Sequence, residues 1–293
     1  MFEVIDNIKE KKIVVFGTGS AAQKVIKRNQ FDIAYFVDND TNKWGQFFFG
    51  KEIINPNVLL TEDTNNLFIV VASSYFGEIN DQLTKYGFVN NVHYLNGHDW
   101  INHTIEVEEW LNSGKSKLTP HYIKQKHLQK LGSIVGMSIL VETGTYLGHM
   151  ILAMKDKFQK IYTIELDNTL YQRATTLFSE FKHIQVLHGD SGDVIKEVLG
   201  KIEVPALFWL DGHYSGLGTA KGTLETPILQ ELELILAHNS DHVILIDDAR
   251  LFIGKDDYPT IDLLKSHVWN INPDVNIFVE DDIIHIINKK VGI

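Results

Sequence analysis

The stretch Ile139-Leu140-Val141-Glu142-Thr143-Gly144-Thr145-Tyr146-Leu147-Gly148-His149-Met150 constrains this chain more than any other. An apolar run feeds into an acidic residue and two glycines, and helix-forming residues continue through Lys155. That order reads as strand, tight turn and helix, the opening unit of a parallel α/β sheet. Gly144 suits a sharp turn, and Gly148 lets a ligand or the sheet approach the start of the helix. The spacing Glu-x-Gly-x-x-x-Gly departs from the Gly-x-Gly-x-x-Gly of dinucleotide sites.

Four further β-rich runs sharpen the reading. Ile161–Glu165 ends on a carboxylate, suited to accept both hydrogen bonds of a ribose diol. Ile184–His188 leads into Gly189-Asp190-Ser191, placed to meet an adenine edge. Ala206–Leu210 runs into Asp211-Gly212-His213, and Val243–Ile246 into Asp247-Asp248. Polar or acidic groups therefore close all five runs at their carboxyl ends, where open α/β sheets bind ligands. Strand burial accounts for the apolar runs but not for the repeated acidic ends.

With those residues in view, the part from about Pro120 to Ile293 resembles a class I S-adenosylmethionine-dependent methyltransferase. The resemblance implies that Glu142, Gly144, Thr145 and Gly148 form the loop around the methionine part of the cofactor. It implies that Glu165 binds the ribose, that Asp190 and Ser191 meet the adenine, and that Asp211 also touches the cofactor. The tail fits it: Val275–Glu280 and Ile283–Ile287 read as a closing hairpin, as the family's seven-stranded sheet with a reversed last strand requires. More narrowly, Leu210-Asp211-Gly212-His213-Tyr214 with Ile246-Asp247-Asp248 resembles bacterial O-methyltransferases acting on sugars and natural products.

The first hundred residues carry a unit of their own. Lys12–Phe16 precedes Gly17-Thr18-Gly19-Ser20-Ala21-Ala22, and Phe31–Asp38 is a second strand ending on Asp38. Gly-x-Gly-x-x-Ala with an acidic residue at that distance marks Gly17, Gly19 and Asp38 as a candidate nucleotide site. Leu67–Ala72 supplies a third strand and Val92–Leu95 a short fourth. This part resembles the small Rossmann-like domain beside sugar-modifying enzymes of polysaccharide biosynthesis, some of which bind nucleotide-sugars. A structural or dimerising role is the competing account, because a fold does not fix a function. The expected organisation is thus two Rossmann-like α/β domains, residues 1–100 and 120–293, joined by a linker over 101–119.

Methyl transfer to oxygen asks the protein to align an acceptor and remove its proton. Asp211 and His213 follow the fourth strand of the second domain, where the acceptor should lie. His213 is the better general base, since imidazole titrates near neutral pH, with Asp211 orienting it. Asp211, Asp247 and Asp248 would repel one another unless a proton or cation stands between them, and a hard cation such as Mg²⁺ accepts such oxygens. Asp248 pairing with Arg250, or capping the helix that follows, is the alternative. The stretch Asp211–Thr226 holds four glycines and reads either as a mobile lid or as an irregular connector. The helical stretch His121–Leu128 reads foremost as a solvated face, with Tyr122, Lys124 and Lys126 as substrate contacts in the competing account.

Charge and composition narrow the partners. Against 38 acidic residues stand 27 basic ones, a net charge of −11, which argues against nucleic acid or an anionic membrane. With no cysteine there is neither a disulfide framework nor thiolate chemistry. No leader-like or membrane-spanning segment is read, so a cytoplasmic protein is expected, and the resemblance implies a small-molecule or glycan acceptor. A homo-oligomer is compatible with the sequence. An oxidoreductase or epimerase working through the first domain is the rival enzyme class, disfavoured by the lack of a Tyr-x-x-x-Lys pair after its third strand. A non-catalytic scaffold of the same fold is the third reading.

Overall fold

The computed structural model describes residues 11–28, 32–64, 66–90, 93–212 and 226–290. The chain falls into two compact units, Met1–Ser113 and Gly114–Ile293.

In the first unit, β1 (Lys12–Phe16), α1 (Ser20–Arg28) and β2 (Ile33–Val37) form the expected strand–turn–helix–strand. There follow β3 (Phe47–Phe48), β4 (Lys51–Ile54), β5 (Leu67–Val71), α2 (Phe76–Lys85), β6 (Tyr94–Asn96) and α3 (Gly97–Asn112). The sheet order is β3-β4-β2-β1-β5-β6, parallel except for the β3–β4 pair. That hairpin has no counterpart in the sequence reading. Its strands are too short for alternation to register, and its turn is Phe49-Gly50, both with positive φ, the conformation tight hairpins favour.

Helix α3 also takes in residues expected to belong to a linker. Asn96 caps it, its side chain accepting from the His98 N–H at 3.0 Å. Ile101, one turn before Ile105, packs on the core formed by β1, β2, β5 and α1.

The second unit begins with α4 (His121–Val135) and continues β7 (Ile139–Thr143), α5 (His149–Met154), β8 (Lys160–Glu165), α6 (Asn168–Leu177) and β9 (Ile184–His188). Then come α7 (Ser191–Leu199), β10 (Leu207–Leu210), α8 (Ile228–Leu236), β11 (Val243–Ile246), α9 (Ile261–Ile271), β12 (Val275–Glu280) and β13 (Ile283–Asn288). The order is β12-β13-β11-β10-β7-β8-β9, with β13 antiparallel to both neighbours and the inner strands parallel. A seven-stranded sheet with this order and reversed last strand is the class I methyltransferase fold.

Two cores flank the sheet. Ile195, Leu232 and Leu264, from α7, α8 and α9, bury one face. Leu128, Leu131, Met150 and Ala174, from α4, α5 and α6, bury the other. Because helices cover both faces, the inner strands are apolar without alternation. Polar residues gather instead at the strand ends. Among the described residues, no helix is long and apolar enough to cross a membrane.

Candidate active site

Strand order reverses between β7 and β10, which makes their carboxyl ends the topological switch point where such sheets bind ligands. There the backbone N–H of Asp211 donates to the Thr143 carbonyl at 3.1 Å. The turn after β7 is fixed tightly. Gly144 has φ +83°, and a β-carbon there would stand against the Asp211 carbonyl oxygen. Gly148 has φ +78°, and its β-carbon would meet the Phe178 ring at 2.8 Å. Tyr146 between them also takes positive φ, at +47°. Only residues without a side chain fit at the two glycines, and that leaves a bare backbone cradle above the strand end.

Glu165, buried at the end of β8, reaches this cradle. One carboxylate oxygen accepts from the Tyr146 N–H at 2.7 Å, the other from the Asp167 N–H at 2.9 Å. Each oxygen keeps acceptor capacity for a second donor, the requirement for binding a diol. Asp190 caps α7 through the Gly192 N–H at 3.0 Å, and Ser191 is buried beside it. Glu142 is buried in β7 and accepts from the Thr163 hydroxyl, which also bonds Thr145 at 2.6 Å. Burial, with Asp211 and Glu165 nearby, pushes the Glu142 carboxyl well above the usual range. It lies under the turn, tied to it through Thr163 and Thr145.

At the acidic end of β11 the expected Asp248–Arg250 pair is present, and a lysine from a distant helix joins it. Lys124 of α4 places its ammonium 2.5 Å from Asp247 and 3.3 Å from Asp248. Arg250 bonds the same Asp248 oxygen at 2.6 Å. Burial opposes the charge on Lys124, but the two carboxylates prevail and hold it above the ordinary lysine value. Burial, with Asp211 close by, pushes Asp247 upward. The cation between these carboxylates is supplied by the protein. Mg²⁺ does not fit this donor set, since it would sit beside an ammonium already spending itself on the same oxygens. The expected solvated face over His121–Leu128 is corrected here too. Tyr122 is 3% exposed and the Lys124 side chain 15%, because the helix packs this side against the sheet.

Lys124, read in the sequence as a substrate contact at most, instead pairs with Asp247 and Asp248. One participant went unread: Glu231 of α8, 1% exposed, which faces the hydroxyls of Ser191 and Thr143 directly under the switch point. Burial pushes it up to about 7. Its signal was available: Ile228, Glu231, Leu232 and Ile235 share one helical face, and a carboxylate on an apolar stripe is out of place unless the site requires it. His213 and the glycine-rich stretch up to residue 225 lie outside the described residues.

In the first unit, Gly17 has φ +102°, and a β-carbon there would meet the Ala72 carbonyl oxygen at 2.7 Å. Gly19 opens on free space. A cleft of about 490 Å³ lies above this turn, lined by Gly17, Thr18, Gly19, Asp38, Lys43 and Tyr75 among others. Asp38 is already engaged: one oxygen accepts from Thr18 and from Lys43 (3.0 Å), the other from the Asp40 N–H at 3.0 Å. Burial works against its charge, yet these donors hold its carboxyl below the usual range.

The family described as C2185-like, N-terminal, matches residues 9–92 of this chain. Curated proteins give no match in sequence. Among solved structures, the SAH-bound methyltransferase PaMTH1 of Podospora anserina is similar at 15% identity, over 62% of this chain and 87% of that one, with a TM-score of 0.39. The O-methyltransferase from Bacillus cereus in complex with SAH matches at 14% identity over 62% and 90%, TM-score 0.41. The O-methyltransferase TomG of Streptomyces achromogenes, involved in tomaymycin synthesis and in complex with SAM, matches at 14% identity over 63% and 88%, TM-score 0.39.

Proposed function

We propose that the second unit is an S-adenosylmethionine-dependent methyltransferase acting on a hydroxyl oxygen. The observation that carries this is the arrangement at the switch point. A side-chain-free turn at Gly144 and Gly148 stands against Glu165, whose two oxygens each retain acceptor capacity. When bound, S-adenosylmethionine supplies a methyl group on a sulfonium that departs as a neutral thioether. Glu165 would hold the ribose diol, Asp190 and Ser191 the adenine edge, and the turn from Glu142 to Gly148 the methionine end.

Because the leaving group is neutral, the protein's own task is to orient the acceptor and take its proton. Asp211 stands at the acceptor side of β10, with His213 two residues on as the proposed base. Lys124, fixed by Asp247 and Asp248, sets the charge balance of that edge and requires no metal to do so. The acceptor class, a sugar or glycan-precursor hydroxyl, is supported by the likeness of the Asp211–Tyr214 and Asp247-Asp248 motifs to sugar-modifying O-methyltransferases.

A second reading concerns the first unit, as a separate nucleotide or nucleotide-sugar site. The cleft of about 490 Å³ above Gly17 and Gly19 favours it. Thr18 and Lys43 occupy one Asp38 oxygen, which leaves only the other, already accepting from the Asp40 N–H, for a bidentate dehydrogenase-type ribose contact.

Calorimetric titration of the full chain with S-adenosylhomocysteine, NAD and a panel of UDP- and GDP-sugars tests both readings. S-adenosylhomocysteine should bind, and Glu165→Ala should weaken it roughly tenfold, about 1.5 kcal/mol for a charge-assisted pair partly replaced by water. Unchanged affinity in a folded Glu165→Ala variant takes Glu165 out of the site.

A further inference from the structure

On the face of the second unit's sheet that α4 covers, three side chains remain outside the chemistry above. His127 of α4, Glu280 of β12 and His285 of β13 each offer a ligand atom, and these atoms lie within 4.8 Å of one another. The strand pairing explains the convergence. Phe278 is opposite His285 and Glu280 opposite Ile283, so Glu280, Phe278 and His285 share one face of the hairpin. The His285 ring stacks on Phe278 at 4.7 Å and meets the His127 ring edge-on at 5.1 Å.

His285 is the anomaly. It is 2% exposed, and neither ring nitrogen has a hydrogen-bond partner. A neutral imidazole carries one N–H and one lone pair, and leaving both unused in a core is unfavourable. Hydrophobic packing alone would be served better by leucine or phenylalanine at this position, flanked as it is by Ile283 and Ile287 on the same face. The imidazole makes sense if its lone pair is used by something absent from the polypeptide. His127 has its Nε2 3.1 Å from an Asp281 oxygen whose partner oxygen is paired with Lys115 at 2.5 Å, so its Nδ1 is the nitrogen assigned to the ion. A carboxylate behind an imidazole is the usual support of a metal-bound histidine, because it fixes the ring's tautomer and orientation.

We propose that His127, Glu280 and His285 bind a divalent transition metal of the zinc type, clipping helix α4 to the β12–β13 hairpin. Two imidazoles and one carboxylate suit zinc, whereas calcium and magnesium prefer oxygens throughout. Glu280 is exposed and supplies both a negative charge and the route of entry. Water completes the tetrahedron from that side. Lys124 lies one helical turn before His127 on the same helix, so the ion also steadies the segment that brings an ammonium to Asp247.

The test uses the full chain, stripped of metal with a chelator and titrated with zinc chloride. One equivalent should bind and raise the thermal midpoint, and cobalt(II) in its place should give the strong visible absorption of a tetrahedral centre. His127→Ala and Glu280→Gln should each lose at least about a hundredfold in affinity, and Asp281→Asn about 10–100-fold as the supporting group. His285 sits mid-sheet and its variants risk misfolding; Glu280→Gln, at an exposed position, keeps the test decisive. Zinc binding equally tight in the wild type and in a folded His127→Ala/Glu280→Gln double variant would place the ion on other histidines and overturn the proposal. So would no binding at all.

Discussion

The sheet of each unit starts with a strand, a glycine turn and a helix, and each unit's second strand runs into a carboxylate at its end. The first glycine behaves alike in both: Gly17 and Gly144 take positive φ and press against a carbonyl, that of Ala72 and that of Asp211. The second glycine separates them. Gly148 is hemmed in by Phe178 and stays left-handed, while Gly19 faces open space without positive φ. The carboxylates diverge further. Asp38 gives one oxygen to Thr18 and Lys43 at once and keeps only the other with a single backbone N–H, whereas Glu165 accepts a single backbone N–H on each oxygen. The first is a structural pin beside a cleft; the second is a half-used acceptor. Similar motifs can thus differ in what they leave available, and availability decides which can bind a diol.

The comparison breaks most visibly through the proposed base. His213→Ala should lower kcat for methyl transfer by about 10²–10⁴, with S-adenosylhomocysteine affinity nearly unchanged, measured by single-turnover kinetics and calorimetry. A variant that keeps most of its rate puts proton removal elsewhere. Next in size is the strained glycine. Gly144→Ala adds both backbone strain and a collision with the Asp211 carbonyl, and should destabilise the second unit by about 2–4 kcal/mol in chemical denaturation. A near-neutral effect would mean the turn relaxes freely and that the two units are less alike than Gly17 and Gly144 suggest.

Acid and base responses should point in opposite directions. Glu231 has a folded value of about 7 against an ordinary 4.5, so the folded state holds a proton that the unfolded chain releases. Its contribution is complete below pH 4.5 and is lost as pH rises to 7, at most about 3 kcal/mol. Asp38 is lowered, so its contribution is complete above the ordinary carboxylate value and fades as pH falls through the folded one. Hydrogen exchange followed by mass spectrometry across pH 3–8 (an experimental range of about five units) resolves the units separately. Glu231→Gln should flatten the slope in the second unit alone; a slope that persists assigns it to another group. The smallest effect belongs to Gly19→Ala, which should shift stability by less than about 0.5 kcal/mol, since the added methyl meets nothing within 4 Å.

Much of the second unit was legible because its signal is periodic and local. Buried parallel strands must be apolar throughout, and the residues that interrupt them, Glu165, Asp190, Asp211 and Asp247, mark the ends directly. The β12–β13 hairpin showed itself as two runs around Asp281-Asp282. What was not legible depends on partners distant in sequence. Lys124 looks like any helical lysine until Asp247, more than a hundred residues on, folds against it. Glu231 could have been noticed from its stripe, but the hydroxyls it meets belong to Thr143 and Ser191. The β3–β4 hairpin failed for another reason, since two and four residues carry too little pattern.

The position of β13 has a consequence for how the molecule is made. It is the last strand of the sheet in chain order, yet it lies inside it, between β12 and β11. Until Asn288 has left the ribosome, β11 is an open edge offering unpaired N–H and C=O groups. At ~5–20 residues per second, the roughly 40 residues from Ile246 to Asn288 keep that edge open for about 2–8 s. The first unit, whose sheet needs nothing beyond Asn96, is free to close long before. Nascent chains stalled between β11 and β13 should therefore carry a folded first unit together with an exposed apolar strand, the kind of species prone to aggregation.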